Sequence, residues 1–359
     1  QLTNRRGYLD DLIPHRPFGR YGRNRDPMTA PSLATRSIRE KLPVSDVGFG
    51  AAQLGNLNRQ TTDDESTAAV HAALAAGVTY FDTAPHYGLG LSERRLGAAL
   101  AGTPRDDVVI STKVGRLLVD SPETADRQDD QGFVVPASVR REWDFSADGV
   151  KRSIEASLAR LGTDRIDIVY LHDPDEHEEQ ATREAIPALI ELREQGVIRA
   201  IGAGMNQSAM PARFIDAHDI DVVMLAGRLT LLDQTALADL MPLALRRGVA
   251  IVAAGVYNSG LLSSAQIQPD AHFDYAPASD AVRERAERLA AICRAHDVDL
   301  PSAAVQYPLR HPAVVSTVIG MRSVAHVESS IERRASAIPD ELWAELDDAG
   351  LAPDLRGVA

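Results

Sequence analysis

The stretch SADGVKRSIEASLARLGTDRIDIVYLH, residues 146–172, holds a complete structural unit and decides the fold. Its first part carries apolar residues three and four positions apart and ends on Gly162, the signature of an amphipathic helix with a glycine stop. Its last part, IDIVYLH (166–172), is almost continuously apolar, as a parallel strand covered on both faces must be. The same alternation extends in both directions. Apolar runs rich in Val and Ile occur at 44–52, 78–84, 108–114, 198–204, 221–226, 249–255 and 316–321. Between them lie helix candidates such as TDDESTAAVHAALAAG (62–77) and ATREAIPALIELREQG (181–196). Eight such units with no Pro/Gly/Ser-rich linker predict an α/β chain folded as one (β/α)8 TIM barrel, whose C-terminal-face loops form the active site. Two long interruptions, 117–144 and 257–277, follow predicted strands and are expected to build walls on that face.

The 359 residues carry 38 basic and 51 acidic side chains, a net charge of −13, which removes the electrostatic reason to bind nucleic acid or anionic membranes. A small-molecule substrate is the expected partner, with assembly into a homo-oligomer left open. Cys293 is the single cysteine, so no internal disulfide framework exists, and its helical run AERLAAICRAHD points to buried packing. No apolar run is long enough to cross a bilayer, and with no secretory segment at the start a cytoplasmic protein is expected. Residues 1–27, rich in Arg, Gly and Pro, read as a leader or extension, leaving 28–359 for the barrel and Met28 as a candidate natural start.

In a barrel, a polar residue at the C-terminal end of an apolar strand points into the active site. Asp82 ends the second strand, Tyr87 follows in its loop, Lys113 ends the third, and His172 ends the fourth. Lys113 is one of only three lysines beside 35 arginines, so a lysine inside ISTKV is not routine surface charge. A buried ammonium needs a partner, which Asp82 on the neighbouring strand can supply. The same ammonium beside a phenol lowers the phenol pKa, making Tyr87 a usable acid or base. His172 can orient a substrate oxygen next to it. Taken singly, each of the four also has a purely structural reading, as a cap, loop anchor, ion pair or core histidine. Nothing in the chain is assigned as a metal site.

FDTAPHYGLGLSERRLG (81–97), with STKVG and YLHD, resembles the aldo-keto reductase superfamily over about 42–351. The resemblance implies a catalytic tetrad of Asp82, Tyr87, Lys113 and His172. WDFSADGVKRSIEASLARLGTDRIDIVYLHDPD, MLAGRLTLLDQ and VAAGVYNSGLL look more specifically like the branch of aldose 1-dehydrogenases acting on L-fucose and D-threo-aldoses, with pyridoxal 4-dehydrogenase nearby. The implied reaction is oxidation of an aldose at C1 to a lactone, with hydride passing to NAD or NADP. A general aldehyde or ketone reductase and a cofactor-binding regulatory subunit are the alternatives.

GLGLSE (88–93) imitates a dinucleotide fingerprint, but Glu93 stands at the third glycine position. The cofactor is expected instead across the loops after strands seven and eight. Gly255, Val256, Asn258, Ser259 and Gly260 offer small residues and backbone N–H groups to a pyrophosphate, though such residues also simply permit turns. By resemblance, Gly320, Arg322, Ser323 and His326 match the adenosine-phosphate segment, and Arg322 can pair with a 2′-phosphate. Ser329 and Ser330 stand where the family has Glu-Asn against adenine, which weakens that contact and keeps NAD open. Asn206 matches the residue that holds the nicotinamide carboxamide, or is a turn cap. Ala226 and Ala254 replace the usual Gln and stacking aromatic. Trp143 is placed either in a substrate wall or as an anchor of its loop.

Overall fold

Eight parallel strands close on themselves in the computed structural model, which describes residues 33–357 apart from residues 40 and 275. They are β1 (Val47–Gly50), β2 (Tyr80–Asp82), β3 (Val109–Val114), β4 (Ile168–His172), β5 (Ala200–Met205), β6 (Val222–Ala226), β7 (Ala250–Ala254) and β8 (Val314–Gly320). Each pairs with the next, and β8 pairs back onto β1 through Thr317 opposite Val47. All eight predicted runs therefore enter the barrel. Leading and boundary residues 1–32, including the expected leader and Met28, lie outside the described residues.

The helices form as their sequences dictate. Helix α1 (Asp63–Ala75) starts on a capping box in which the Thr62 hydroxyl accepts from Glu65 N and the Glu65 carboxylate accepts from Thr62 N. Ser146 caps the next long helix, Ala147–Leu161, and Gly162 ends it at φ 62°, a left-handed conformation cheap only for glycine. The run 181–196 departs from the expected single helix: a π turn over Ala181–Ala185 precedes regular helix over Ile186–Glu194. Pro187, near its start, has no N–H to donate to the preceding turn. Cys293 is 1% exposed among helix-packing residues, as its apolar context suggested.

The run at 44–52 is divided where one strand was expected. Leu42–Ser45 pairs antiparallel with Thr35–Ile38, only Val47–Gly50 joins the barrel, and Ala51–Gly55 turns as a 3-10 helix. At the break, Asp46 is buried and ion-paired with Arg334 at 2.5 Å. Ile38, Leu42 and Val44 of this hairpin pack with Val109, Ile168, Ala200, Val222 and Ala250 at the strand starts, closing the N-terminal end of the barrel. Burying each of those three side chains contributes on the order of 1.5–3 kcal/mol. The opposite end stays open. There the long stretch after β3 forms a hairpin, Arg116–Asp120 against Val139–Trp143, whose excursion brings Phe133 to bridge Leu57. After β7 a shorter hairpin pairs His272–Phe273 with Ala276–Pro277. Among the described residues no helix is long and apolar enough to cross a membrane.

Candidate active site

Strand alternation builds the site in two layers, because residues two apart on a strand share a face. Tyr80, Ser111 and Tyr170 form the lower layer: Tyr80 OH lies 3.0 Å from Tyr170 OH and 3.1 Å from Ser111 Oγ. Two residues further along the same strands stand Asp82, Lys113 and His172. Lys113 Nζ donates to Asp82 Oδ2 at 2.7 Å and to Thr83 O at 3.0 Å, while Asp82 Oδ1 accepts from Ser111 Oγ at 2.7 Å. Tyr87 arrives from the loop after β2. Its position depends on a close backbone crossing, since a Cβ on Gly88 would fall 2.2 Å from Gly55 O and one on Gly55 would fall 2.6 Å from Tyr87 C. Lys113 Nζ stands 4.7 Å from the Tyr87 ring centre, and the His172 ring meets that ring edge-on at 5.8 Å. The four side chains singled out from strand ends thus line one cavity of about 370 Å³.

Burial and charge set the protonation states. Burial disfavours the Lys113 ammonium, but Asp82 and Tyr87 outweigh it and its pKa is raised. Burial also raises the Tyr87 pKa above the ordinary phenol value; Lys113 opposes that shift without reversing it. The lowered phenol pKa expected from the sequence is therefore corrected: desolvation wins, and the phenol holds its proton at neutral pH. Burial, then Arg116 and Lys113, pushes His172 well below its ordinary value, so its ring is neutral. The neighbouring His86 is pushed down to about 2 by burial and by Arg116, Arg141 and Lys113. The site accordingly offers a neutral phenol beside a paired ammonium and a neutral imidazole, a set suited to giving or taking one proton at a substrate oxygen.

A family model described as the aldo/keto reductase family matches residues 46–350. The chain belongs to that family. This aldo-keto reductase is an oxidoreductase that uses a nicotinamide cofactor on a small carbonyl-type substrate. It is 47% identical over 315 residues to D-threo-aldose 1-dehydrogenase from a Pseudomonas species, covering 87% of this chain and 96% of that protein. It is 38% identical over 330 residues to pyridoxal 4-dehydrogenase from Microbacterium luteolum, covering 87% and 96% respectively. Among solved structures, the holo form of an aldo-keto reductase from Bacillus halodurans superposes with a TM-score of 0.70 at 26% identity, covering 90% of this chain and 99% of that one.

The candidate cofactor residues of this aldo-keto reductase fall into two groups. Asn206, Gly255 and Gly320 line the same cavity as Tyr87, as do Ala226 and Ala254, whose short side chains leave that wall open. Gln53, which the sequence reading overlooked, also lines it, and its Oε1 is buried without a hydrogen-bond partner. Small residues on one wall and an unsatisfied amide oxygen fit a flat nicotinamide amide. Beyond the cavity, Asn258 is buried at φ 45° with its Nδ2 3.4 Å from Gly227 O, and Ser259 and Gly260 continue the left-handed turn at φ 59° and 92°. Ser323 caps helix Val324–Ala335, accepting from His326 N. Arg322 is only 7% exposed and donates to Leu57 O at 2.6 Å and Arg59 O at 3.1 Å. Ser330 faces inward and donates to His326 O one turn back, and the Val256 side chain is buried in the core. Trp143 lines a neighbouring depression with Arg116 and Arg141 rather than the Tyr87 cavity; its ring stacks on Phe145 and under Arg116.

Side chains that the sequence reading did not single out complete the cavity. His86, Gln131, Phe133 and Asp173 all line it. The strand-end rule reaches Asp173, one residue past β4. Phe133 carried no such signal, because it comes from a polar stretch without periodicity and reaches the cavity through its bridge to Leu57 and its packing against Leu89, His86 and Tyr87.

Proposed function

We propose that this chain oxidises a cyclic aldose at C1 to the lactone, with Tyr87 taking the proton of the anomeric hydroxyl. The observation that carries the reading is the placement of Tyr87 with Lys113 and His172 in a cavity that also presents Asp173 and Gln131 to a substrate's hydroxyls, beside an apolar wall that includes Phe133, Met205 and Met224. The 47% identity to D-threo-aldose 1-dehydrogenase supports the substrate class. The nicotinamide, when bound, accepts the hydride from C1, and this supplies the difficult chemistry. The protein's part is narrower. His172, neutral, donates to the substrate oxygen and holds it beside the phenol. In oxidation the base is the phenolate of Tyr87, the minor form that Lys113, tied to Asp82, stabilises; it takes the proton of that oxygen and becomes the phenol, which gives the proton back in the reverse direction. In this reading Asn206 binds the nicotinamide carboxamide, and the buried, unpartnered Oε1 of Gln53, on the same cavity, offers it a second acceptor.

NAD is the preferred cofactor in this reading. The Arg322 guanidinium, the candidate partner for a 2′-phosphate, is buried and occupied by the carbonyls of Leu57 and Arg59. Engaging a phosphate would cost it both contacts. The lone, buried cysteine is consistent with a cytoplasmic location. Spectrophotometric recording of reduced cofactor tests the proposal, with NAD or NADP and a panel of aldoses, pyridoxal and simple carbonyls. Aldose-dependent reduction, with a higher kcat/KM for NAD than for NADP, is expected. Turnover confined to simple carbonyls would refute the substrate class, and a preference for NADP would refute the reading of Arg322.

A further inference from the structure

Asp173 faces the cavity but has no part in the proton transfer assigned to Tyr87. It follows His172 directly and adopts φ 45°, a left-handed backbone that costs a residue with a Cβ free energy unless its surroundings hold it. Its N–H donates to Gly204 O at 3.1 Å, which fixes the turn. The carboxylate is oriented as firmly. Oδ2 accepts from Arg116 Nη2 at 2.6 Å and lies 3.7 Å from His172 Nε2. Arg116 is itself braced, with Nη1 3.3 Å from His86 Nδ1 and its guanidinium 4.5 Å from the Trp143 ring centre. The second carboxylate oxygen, Oδ1, accepts no hydrogen bond among the described residues, while the side chain keeps 23% of its surface open. Burial raises the Asp173 pKa against the pull of Arg116, in keeping with a carboxylate partly withdrawn from water.

The chemistry of such a group is restricted. Paired with Arg116, the carboxylate has little net charge left to attract a cation, but its free lone pairs accept strongly from neutral O–H donors. Its neighbour His172 is the group that holds the reacting oxygen. Oxygens on adjacent carbons of a sugar are about a hydrogen bond's length apart, so an acceptor one residue from His172 meets the hydroxyl beside the reacting carbon. We propose that Asp173, held by Arg116, is a specificity-determining residue that accepts the hydroxyl next to the reacting carbon and confines the substrate to 2-hydroxylated hemiacetals. This rests on the reading of the chain as an aldose dehydrogenase.

The test compares kcat/KM for the best aldose of the panel with that for its 2-deoxy counterpart, in wild type, D173N and R116Q. Asparagine tolerates left-handed φ, so D173N keeps the turn, and cofactor binding followed by fluorescence verifies its fold. A hydrogen bond to a charged group predicts that the wild type prefers the 2-hydroxylated sugar by about 10- to 100-fold. In D173N that preference falls to a few-fold, and R116Q, which frees the carboxylate from its brace, lowers it in the same direction. Should D173N fail to fold, R116Q gives the same reading. A wild type that oxidises both sugars equally, or folded variants with an unchanged ratio, would overturn the inference and leave the aldose reading standing. Failure of the wild type to oxidise any aldose would overturn both.

Discussion

Replacing Lys113 by methionine separates what the ammonium does for the fold from what it does for the chemistry. Its side chain is 2% exposed, and that of Asp82 is 4% exposed, so the substitution leaves a carboxylate buried without its charge partner. Thr83 O and Ser111 Oγ remain nearby, but only Ser111 can donate to Asp82. Breaking a buried pair by removing one member costs about 3–5 kcal/mol. With an unfolding entropy of about 2 cal/mol/K per residue over 359 residues, this corresponds to a fall in Tm of about 4–7 °C. The double variant D82N/K113M removes both charges and is expected to regain most of that loss, because eliminating a buried pair altogether is close to neutral. Turnover is not expected to return, since Tyr87 has lost the cation that opposes its upward shift. Melting followed by circular dichroism, alongside cofactor-reduction assays, measures the two effects independently. K113M melting within a degree of wild type, or a double variant less stable than the single, would refute the account of Asp82 as a carboxylate that depends on Lys113. Recovery of turnover in the double variant would refute the role of the ammonium.

Tyr87→Phe is expected to lower turnover by about 10²–10⁴-fold while leaving cofactor binding intact, as read by fluorescence titration; an active variant removes the phenol from the mechanism. Because burial raises the Tyr87 pKa, the phenol is protonated below its ordinary value of about 10, so the oxidative rate should rise through the alkaline range without levelling off near neutrality. The reverse reaction, which uses the protonated phenol, should stay flat there. His172 and His86 are held neutral, so neither pH profile should break near 6.5, and a break there would contradict their burial. Arg322→Ala is expected to lower Tm by loosening residues 57–59, with kcat/KM for NAD little changed; a selective loss of NADP use would show that the arginine turns toward the cofactor.

The barrel was legible because parallel strands covered on both faces leave continuous apolar runs, and all eight stand out against amphipathic helices. Lys113 was legible for a different reason, its rarity beside 35 arginines. The N-terminal plug was not, because Leu42–Ser45 adjoins Val47 without a break in apolar character; the division at Asp46 depends on Arg334, 288 residues away. Long-range contacts also set the surroundings of the cofactor candidates. Nothing local to Arg322 shows that the carbonyls of Leu57 and Arg59 occupy it, some 265 residues earlier in the chain. Ser330 could have been placed from helix phase alone. It lies four residues after His326, on the same face as the buried Val327 and Ile331, and its hydroxyl turns back to the His326 carbonyl.

The scarcity of lysine gains meaning from the geometry. The described ion pairs of this chain are made almost throughout by arginine, whose planar fork can spread its donors over two or more acceptors: Arg105 to both Asp167 and Arg165 O, Arg193 to Asp219 and Asp221. At the centre of the cavity the requirement is the reverse. Asp82 Oδ2, Thr83 O and the Tyr87 phenol converge on one point, and a single ammonium nitrogen with three donors meets all of them. Arginine would present its charge over a plane instead of a point, weakening its hold on one phenolate oxygen. The lysine inside ISTKV is thus the form of positive charge that a convergent site demands, in a chain that elsewhere chooses the dispersed one.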